Sequence, residues 1–297
     1  MHLDLAVAGL VVGFLVGLIG MGGGAVLTPL LVLLFRVSPL AAISSDLVTS
    51  LVMMPVGAVV HLRHGSVNWR LVRWLAVGSV PAAVAGAVLI GSIGHAPGVQ
   101  EDLRMAIGVA LCASVGMTLF RQVLDRRRSH QGEHDNDGPL VVHPLRTVAI
   151  GVVGGFAVGM TSVGGGSLII ALLLIAYPRK LRAVTLAGTG IVQAIPLLTA
   201  ATIGHLLYGD VHLAVVTSLL LGALPGVYLG ARLSTRGPAA VIRPLIVAVL
   251  LASGLALLTV PTPLMIGAAV AGGVTTVFLR VPQPARALRQ RDPVDAE

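Results

Sequence analysis

The sequence predicts an all-α polytopic membrane protein built from two inverted repeats. Of its 297 residues, 56% are hydrophobic and 11% are charged, which is typical of integral membrane proteins rather than soluble domains. A glycine-rich phrase occurs twice, at residues 17–24 and 159–166, each time inside an apolar run. We predict that each repeat contains a glycine-tipped re-entrant hairpin and three transmembrane helices, and that an extra helix follows at the C-terminal end.

The first apolar run, residues 5–35, is too long for one upright span. As a single helix it would measure about 46 Å, against roughly 30 Å of hydrocarbon. Adjacent glycines interrupt it, and each destabilises a helix interior by roughly 1 kcal/mol relative to alanine. In a membrane, the freed backbone groups must be buried in protein or line a wet cavity. The pattern therefore predicts a hairpin tip at Gly22, Gly23 and Gly24, and a second tip at Gly164, Gly165 and Gly166.

The remaining elements follow in order. Ser38 and Pro39 predict an N-cap and a first-turn proline for a helix that runs to about residue 61. Further spans are predicted at residues 69–92 and 103–121, and an extra apolar segment covers 263–278. The chain then divides into a membrane repeat (1–124), a cytoplasmic polar connector (125–146), a second membrane repeat (147–260), an additional transmembrane helix (261–280) and a disordered tail (281–297).

Sequence register and basic residues together predict the topology. The glycine triplets align at an offset of 142, and later positions such as His61 and His205 align at 144, which indicates an internal duplication. If each glycine run is a hairpin, all but two of the 20 Lys and Arg residues fall on one side, which is then cytoplasmic. Only Arg36 and Arg104 remain outside. If each run were a single span, fewer than half would lie inside, so the charges favour hairpins and inverted halves.

The backbone at each glycine tip is the candidate anion site. A helix N-terminus offers unpaired N–H groups and about half an elementary positive charge, and glycine lets an anion approach closely. The alternative is that the glycines serve only close helix packing. Hydroxyl and amide groups on the next helix of each half would complete the shell, unless the hydroxyls bond to their own helix. The predicted substrate-binding residues are Gly22, Gly23, Gly24, Ala25, Ser45, Gly164, Gly165, Gly166, Ser167, Thr189 and Gln193.

Asp46 is the candidate proton carrier, with His61 and His205 as candidate proton relays or gates. A carboxylate inside a membrane is costly and marks a functional site by default. It would repel a bound anion unless it were protonated or paired with a cation, which suits proton coupling. Two alternatives stay open: a helix-end carboxylate bonded to nearby amides, and interfacial histidines with no role in coupling.

Other function classes find little support. There is no CxxC, HExxH or Walker motif, so we expect no enzyme, no metal site and no cofactor, and energy must come from gradients. The net charge of +8 reflects basic loops rather than nucleic-acid binding. The single cysteine, Cys112, excludes an intrachain disulfide. The expected partners are a small anionic substrate and the lipid bilayer, and the sequence is compatible with an oligomer.

Three phrases resemble the sulfite exporter TauE/SafE family: residues 20–24 followed by Thr28-Pro29-Leu30, the second glycine triplet, and Ala187-Gly188-Thr189. The resemblance covers nearly the whole chain and implies a multi-pass permease of the bacterial cytoplasmic membrane for sulfite, sulfonates or related organosulfur anions. One phrase departs from the family, because Ser44-Ser45-Asp46 stands where a Gly-Thr-Ser type is common. Two alternatives stay open: a cation or metal permease centred on Asp46, and a non-transporting scaffold or sensor acting through the connector.

Overall fold

The computed structural model describes residues 3–19, 24–63, 67–96, 98–130, 142–163, 167–177, 183–234 and 239–279. Within these ranges every regular element is a helix, as predicted. The helices are α1 (Leu3–Ile19), α2 (Gly24–Leu33), α3 (Pro39–Arg63), α4 (Trp69–Ile93), α5 (Val99–His130), α6 (Pro144–Thr161), α7 (Ser167–Ala176), α8 (Ala183–Tyr208), α9 (Leu213–Ser234), α10 (Ala239–Leu257) and α11 (Thr262–Phe278).

Five apolar stretches of the described helices are long enough to cross a membrane: Trp69–Ile93, Val99–Phe120, Pro144–Thr161, Gly188–Tyr208 and Leu213–Gly230. Together with the shorter apolar helices, they make the chain a multi-pass membrane protein. The N-cap prediction is confirmed, because α3 begins at Pro39 and the Ser38 hydroxyl accepts the Ala41 N–H at 3.4 Å. The span predicted at residues 103–121 corresponds to the apolar stretch Val99–Phe120, and α5 continues beyond it to His130, so the helix includes the first residues of the predicted polar connector.

Each glycine phrase includes the connection between two successive helices. α1 ends at Ile19 and α2 begins at Gly24, whereas α6 ends at Thr161 and α7 begins at Ser167. α2 and α7 have 10 residues each, or about 15 Å, which is half of a hydrocarbon layer of roughly 30 Å. The predicted tip residues Gly22, Gly23, Gly164, Gly165 and Gly166 lie outside the described residues.

Two helix pairs pack in the same way. α1 lies along α9, and α6 lies along α4. An added Cβ would collide with the backbone of Ala223 if placed on Gly13, and with that of Ser79 if placed on Gly155. These two contacts are related by the sequence offsets of 142 and 144. Glycine permits this close approach, which is a common basis of helix association in membranes.

We expect Gly155→Ala to lower the thermal stability of the detergent-purified protein. The new methyl group would overlap the Ser79 backbone on α4, and such overpacking costs about 1–3 kcal/mol. Gly116→Ala is the matched control, since a Cβ there meets nothing within 4 Å. The control should melt at or slightly above the wild-type temperature. Equal melting temperatures for both variants would show that the α4–α6 contact does not depend on glycine.

Candidate functional site

The centre of the candidate site is Asp46, which lies in the second turn of α3 and is fully buried. Its Oδ2 atom accepts hydrogen bonds from the Thr28 hydroxyl at 2.6 Å and the Ser162 hydroxyl at 2.7 Å. Its Oδ1 atom accepts from the Ser50 hydroxyl at 3.1 Å. Thr28 belongs to α2, and Ser162 follows α6 in the second half of the chain. The carboxylate therefore joins the flanks of the two glycine phrases.

Ser162 reaches Asp46 because α6 ends in a left-handed residue. Ser162 is the C-cap of α6, with φ 58° and ψ −3°, and its N–H donates to the Val158 carbonyl at 2.8 Å. A non-glycine residue in this region costs of order 1–3 kcal/mol and persists only where the surroundings hold it. Here the hydrogen bond to Asp46 helps to hold it. Strain of this kind concentrates at functional sites.

Gly24 brings the start of α2 against the same point. A Cβ on Gly24 would collide with the Ser162 carbonyl oxygen and lie 3.0 Å from Asp46 Oδ2. Only glycine therefore allows this close contact between the N-terminal end of α2 and the C-terminal end of α6. The first carries a partial positive charge and the second a partial negative charge. Helix ends of opposite sign, supplied by two interrupted helices, are typical of transporter binding sites.

The groups that bond to the Asp46 carboxylate are neutral. In the described part of the chain, the ion pairs join Arg104 to Glu101 and His212 to Asp210, and neither includes Asp46. A buried charge without a partner of opposite sign is costly, and a proton or a bound cation removes that cost. The site thus combines three hydroxyl groups with one carboxylate that can take up a single positive charge.

His205 lies in the last turn of α8 and joins two other helices. Its Nε2 atom is 2.8 Å from the Gly159 carbonyl oxygen of α6, and its Nδ1 atom is 2.8 Å from the Ser44 hydroxyl of α3. Since a carbonyl only accepts, Nε2 carries a hydrogen. The Ser44 hydroxyl also lies 2.8 Å from the Leu40 carbonyl oxygen, which is a second acceptor within reach of its hydrogen. Its single hydrogen can serve Leu40 or Nδ1, so the protonation of His205 and the orientation of Ser44 are linked.

Ser45 and Thr189 are fully buried, and each accepts a backbone N–H from the other half of the chain. The Ser45 hydroxyl accepts from His212 at 3.3 Å, and the Thr189 hydroxyl accepts from Asn68 at 3.0 Å. The two bonds correspond at an offset of 144. No bond from either hydroxyl to a carbonyl of its own helix occurs among the described residues. Within the described residues neither hydroxyl donates to a protein acceptor, so each keeps its hydrogen for another partner.

Gln193 follows Thr189 by one turn on α8 and is fully buried. Its Nε2 atom donates to the Ser79 hydroxyl on α4 at 2.7 Å. Its Oε1 atom is buried and has no hydrogen-bond partner among the described residues. Because Ser79 can donate as well as accept, the amide can present either end outward. An unsatisfied buried amide is uncommon and marks a place where a ligand or water binds.

The other predicted site residues take different positions. Ala25 follows Gly24 in α2, whereas Ser167 begins α7 and His61 lies near the end of α3. The side chains of Ser167 and His61 are outside the described part of the structure. The structure thus brings Gly24 and Asp46 together, and it places Ser45, Thr189, Gln193 and His205 at separate contacts between helices.

Several polar residues at these contacts were missed by the prediction. Thr28 stands four residues after Gly24, and Ser162 lies inside the second glycine phrase. Ser50 is one helical turn after Asp46, a spacing that places both on one face. These spacings were available signals. The bond from Ser162 to Asp46 and the bond from Gln193 to Ser79 were not predictable, because they join distant parts of the chain.

The Asp46 cluster occurs in one half only. At the aligned offsets, Thr28 corresponds to Ile170 and Asp46 to Gly190. A Cβ on Gly190 would lie 3.1 Å from Ile170 Cδ1, so an apolar contact takes the place of the hydroxyl–carboxylate pair. Of these two aligned positions, Asp46 and Gly190, only the first therefore carries a carboxylate.

The family model described as "Sulfite exporter TauE/SafE" matches residues 5–257. The chain belongs to this family. It is 36% identical over 263 residues to "Probable membrane transporter protein YjnA" of Bacillus subtilis. The aligned region covers 87% of this chain and 100% of that protein. It is 28% identical over 231 residues to a "Probable membrane transporter protein" of Xylella fastidiosa. This alignment covers 77% of this chain and 83% of the Xylella protein.

A "Probable membrane transporter protein" of Methanocaldococcus jannaschii is 27% identical over 236 residues, covering 75% of this chain and 82% of that protein. No solved structure shows a significant match. This TauE/SafE family member is a membrane permease with helices on both sides of each glycine break. The matched region includes α1 to α10, so it contains the Asp46 cluster and both contacts made by Ser45 and Thr189.

Proposed function

We propose that this permease is a secondary transporter of a small oxyanion across the bacterial cytoplasmic membrane, coupled to protons through Asp46. The observation that carries the proposal is the meeting of Gly24, Ser162 and Asp46 between the ends of two interrupted helices. The substrate class, sulfite, a sulfonate or a related organosulfur anion, rests on the family description. The buried hydroxyl groups and the N-terminal end of α2 suit such an anion.

The proposed architecture is two inverted repeats, residues 1–124 and 147–260, joined by a cytoplasmic connector. α1 and α2 form one re-entrant hairpin, and α6 and α7 form the other. The helix contacts support this arrangement, because the first helix of each hairpin packs on a helix of the other half: α1 on α9, and α6 on α4. The distribution of basic residues supports it independently. Inverted repeats around a central site are the usual basis of alternating access.

In the proposed site, the substrate oxygens receive hydrogen bonds from both halves. The free hydrogens of the Ser45 and Thr189 hydroxyls and the outer end of the Gln193 amide are donors. The backbone amides of the glycine tips complete the shell, with Gly22, Gly23, Gly24 and Ala25 from the first half and Gly164, Gly165, Gly166 and Ser167 from the second. The shell carries no fixed positive side chain, so the anion can both enter and leave.

Asp46 supplies the coupling in this proposal. An anion near the start of α2 is repelled by the carboxylate, and the repulsion is strong because the surroundings have a low dielectric constant. A proton on Asp46 removes the repulsion, so proton and anion bind together. His205 and His61, at corresponding positions of the two halves, are the proposed relays on opposite faces. His205 is bonded to Ser44, whose neighbours along α3 are Ser45 and Asp46.

The test is a flux measurement in proteoliposomes containing the purified protein. We expect saturable uptake of one labelled anion among sulfite, sulfate and a small sulfonate, accelerated by an imposed pH gradient. Thr276→Val is the matched control, because the Thr276 hydroxyl donates only to Gly272 of its own helix. It should transport at the wild-type rate. Folded protein that moves none of the three anions would refute the proposed substrate class.

A cation permease is the second candidate, and the oxygen-rich surroundings of Asp46 favour it. Carboxylate and hydroxyl oxygens are ligands for hard cations. The same proteoliposomes distinguish the two functions: anion transport predicts flux of the labelled anion itself, whereas a cation permease predicts uptake of a labelled cation with no anion requirement.

A further inference from the structure

Two contacts between the two halves of the chain have the same construction. In the first, the Ser45 hydroxyl of α3 accepts the N–H of His212, the residue before α9. In the second, the Thr189 hydroxyl of α8 accepts the N–H of Asn68, the residue before α4. Both acceptors lie in the second turn of their helices, about 9 Å from the helix start. Each loop therefore reaches into the interior to meet its acceptor.

The loop before α9 separates the interior from water. The Asp210 carboxylate and the His212 imidazole are half-exposed and lie 3.2 Å apart, which places this side of the loop in an aqueous environment. On its other side, the N–H groups of Asp210 and His212 both reach buried hydroxyls, those of Ser44 and Ser45, at 3.3 Å. The loop thus covers the start of α3 and the residues next to Asp46.

Asn68, the residue directly before α4, holds the corresponding position in the other half. Asn68 is the N-cap of α4, and its side chain accepts the Leu71 N–H at 3.1 Å while its own N–H donates to Thr189. The cap fixes the direction of that N–H. The same residue therefore ends the loop, starts α4 and bonds to the buried hydroxyl of α8.

Basic residues place the two loops on opposite faces of the membrane. Arg63, Arg70 and Arg73 flank the loop before α4, which is cytoplasmic by the positive-inside rule. No Lys or Arg occurs between Arg182 and Arg232, so the loop before α9 faces outward. We propose that the Ser45–His212 contact is the outer gate and the Thr189–Asn68 contact the inner gate of this permease, opened alternately. The inference rests on the proposed function only in taking the chain to be an alternating-access transporter.

The gates explain why hydroxyl groups occupy both positions. A single hydrogen bond from a loop N–H is weak enough to break and reform during a transport cycle, since its net contribution is about that of one ordinary hydrogen bond. Each hydroxyl can donate to a bound anion while it accepts the loop N–H. Substrate and gate therefore contact the same side chain, and this gives the anion a direct influence on the gate.

Cysteine labelling in sealed membrane vesicles tests this proposal without any substrate. The background is Cys112→Ala, which removes the only cysteine of the chain. Ser45→Cys then reports opening on the outer face, and Thr189→Cys reports opening on the inner face, each with a membrane-impermeant maleimide applied from that side. Both positions are fully buried in the closed arrangement.

Reciprocal changes are the expected result. Adding Thr189→Val to the Ser45→Cys protein weakens the inner gate, so the protein should be open to the outside for a smaller fraction of the time. The outer label should then react about fivefold more slowly, because one hydrogen bond changes an equilibrium constant by about this factor. Adding Ser45→Ala to the Thr189→Cys protein should slow the inner label in the same way. Thr276→Val should change neither rate, because the Thr276 hydroxyl donates to Gly272 of its own helix.

Two results would overturn the gates: rates that do not respond to the opposite variant, and rates that rise together on both faces. Reciprocal slowing in a protein that moves none of the three anions would refute the proposed substrate and leave the gates in place. Anion flux without reciprocal slowing would support the proposed substrate class and refute the gates. The elution profile and melting temperature of each variant confirm that the labelled protein is folded.

Discussion

Gly24→Leu is expected to abolish anion flux while the protein still inserts into the membrane. The new Cβ would overlap the Ser162 carbonyl oxygen and approach Asp46 Oδ2 at 3.0 Å. Backbone atoms cannot move aside as a flexible side chain can, so the start of α2 must shift away from the end of α6. That shift separates the two helix ends which form the proposed anion site. Flux in proteoliposomes should fall to the level of empty vesicles.

Gly116→Leu is the matched control for this substitution. Gly116 lies on an exposed face of α5, and a Cβ there meets nothing within 4 Å. The control introduces the same side chain and should transport normally. Gly24→Ala gives a graded test, because it adds the colliding atom alone and should also reduce flux strongly. Undiminished flux in Gly24→Leu would show that the contact with Ser162 has no role in transport.

Asp46→Asn is expected to remove the effect of a pH gradient on flux. Asparagine has nearly the same shape as aspartate, and its carbonyl oxygen can accept from the Thr28 and Ser162 hydroxyls while its NH₂ group donates to Ser50. The fold should therefore survive. The amide does not titrate, so no proton is carried. Flux measured with and without the gradient should become equal, whereas the wild type should respond to it.

Ser50→Ala is the control for Asp46→Asn. It removes the longest of the three hydrogen bonds to the carboxylate, 3.1 Å, and leaves the titratable group in place. The gradient should still accelerate flux in this variant. If Asp46→Asn keeps its response to the gradient, the carboxylate is not the coupling group. If the variant instead loses uptake of a labelled cation, Asp46 binds a cation and the second candidate function is correct.

Much of the fold was predictable because its signals are local. Apolar length and composition predict membrane helices, and the Ser38–Pro39 pair predicts the start of α3, since both depend on neighbouring residues. The glycine phrases predict the two breaks for the same reason. The apolar span within α5 was predicted from the same signal, whereas its polar continuation to His130 was not, because a polar sequence is compatible with a loop as well as with a helix.

The site was predictable in part. Asp46 was found because an ionisable residue in an apolar helix is conspicuous in any sequence. Ser45 and Thr189 were found by their matching positions in the two halves. The backbone N–H groups that bond to these two hydroxyls were not predicted, because every residue except proline has such a group and the sequence does not distinguish one from another. The N–H groups of His212 and Asn68 are the donors because the packing of one half against the other places these residues beside the two hydroxyls.

The family, the membrane class, the duplication signal and the two glycine phrases can be recognised in the amino-acid sequence. These follow from composition, spacing and repetition along one chain. Three features depend on the tertiary structure: Ser162 reaches Asp46, Gly24 lies against Ser162, and one end of the Gln193 amide has no partner among the described residues. Each of these contacts joins helices far apart in the sequence. Their geometry depends on how closely backbones approach, which no local pattern records.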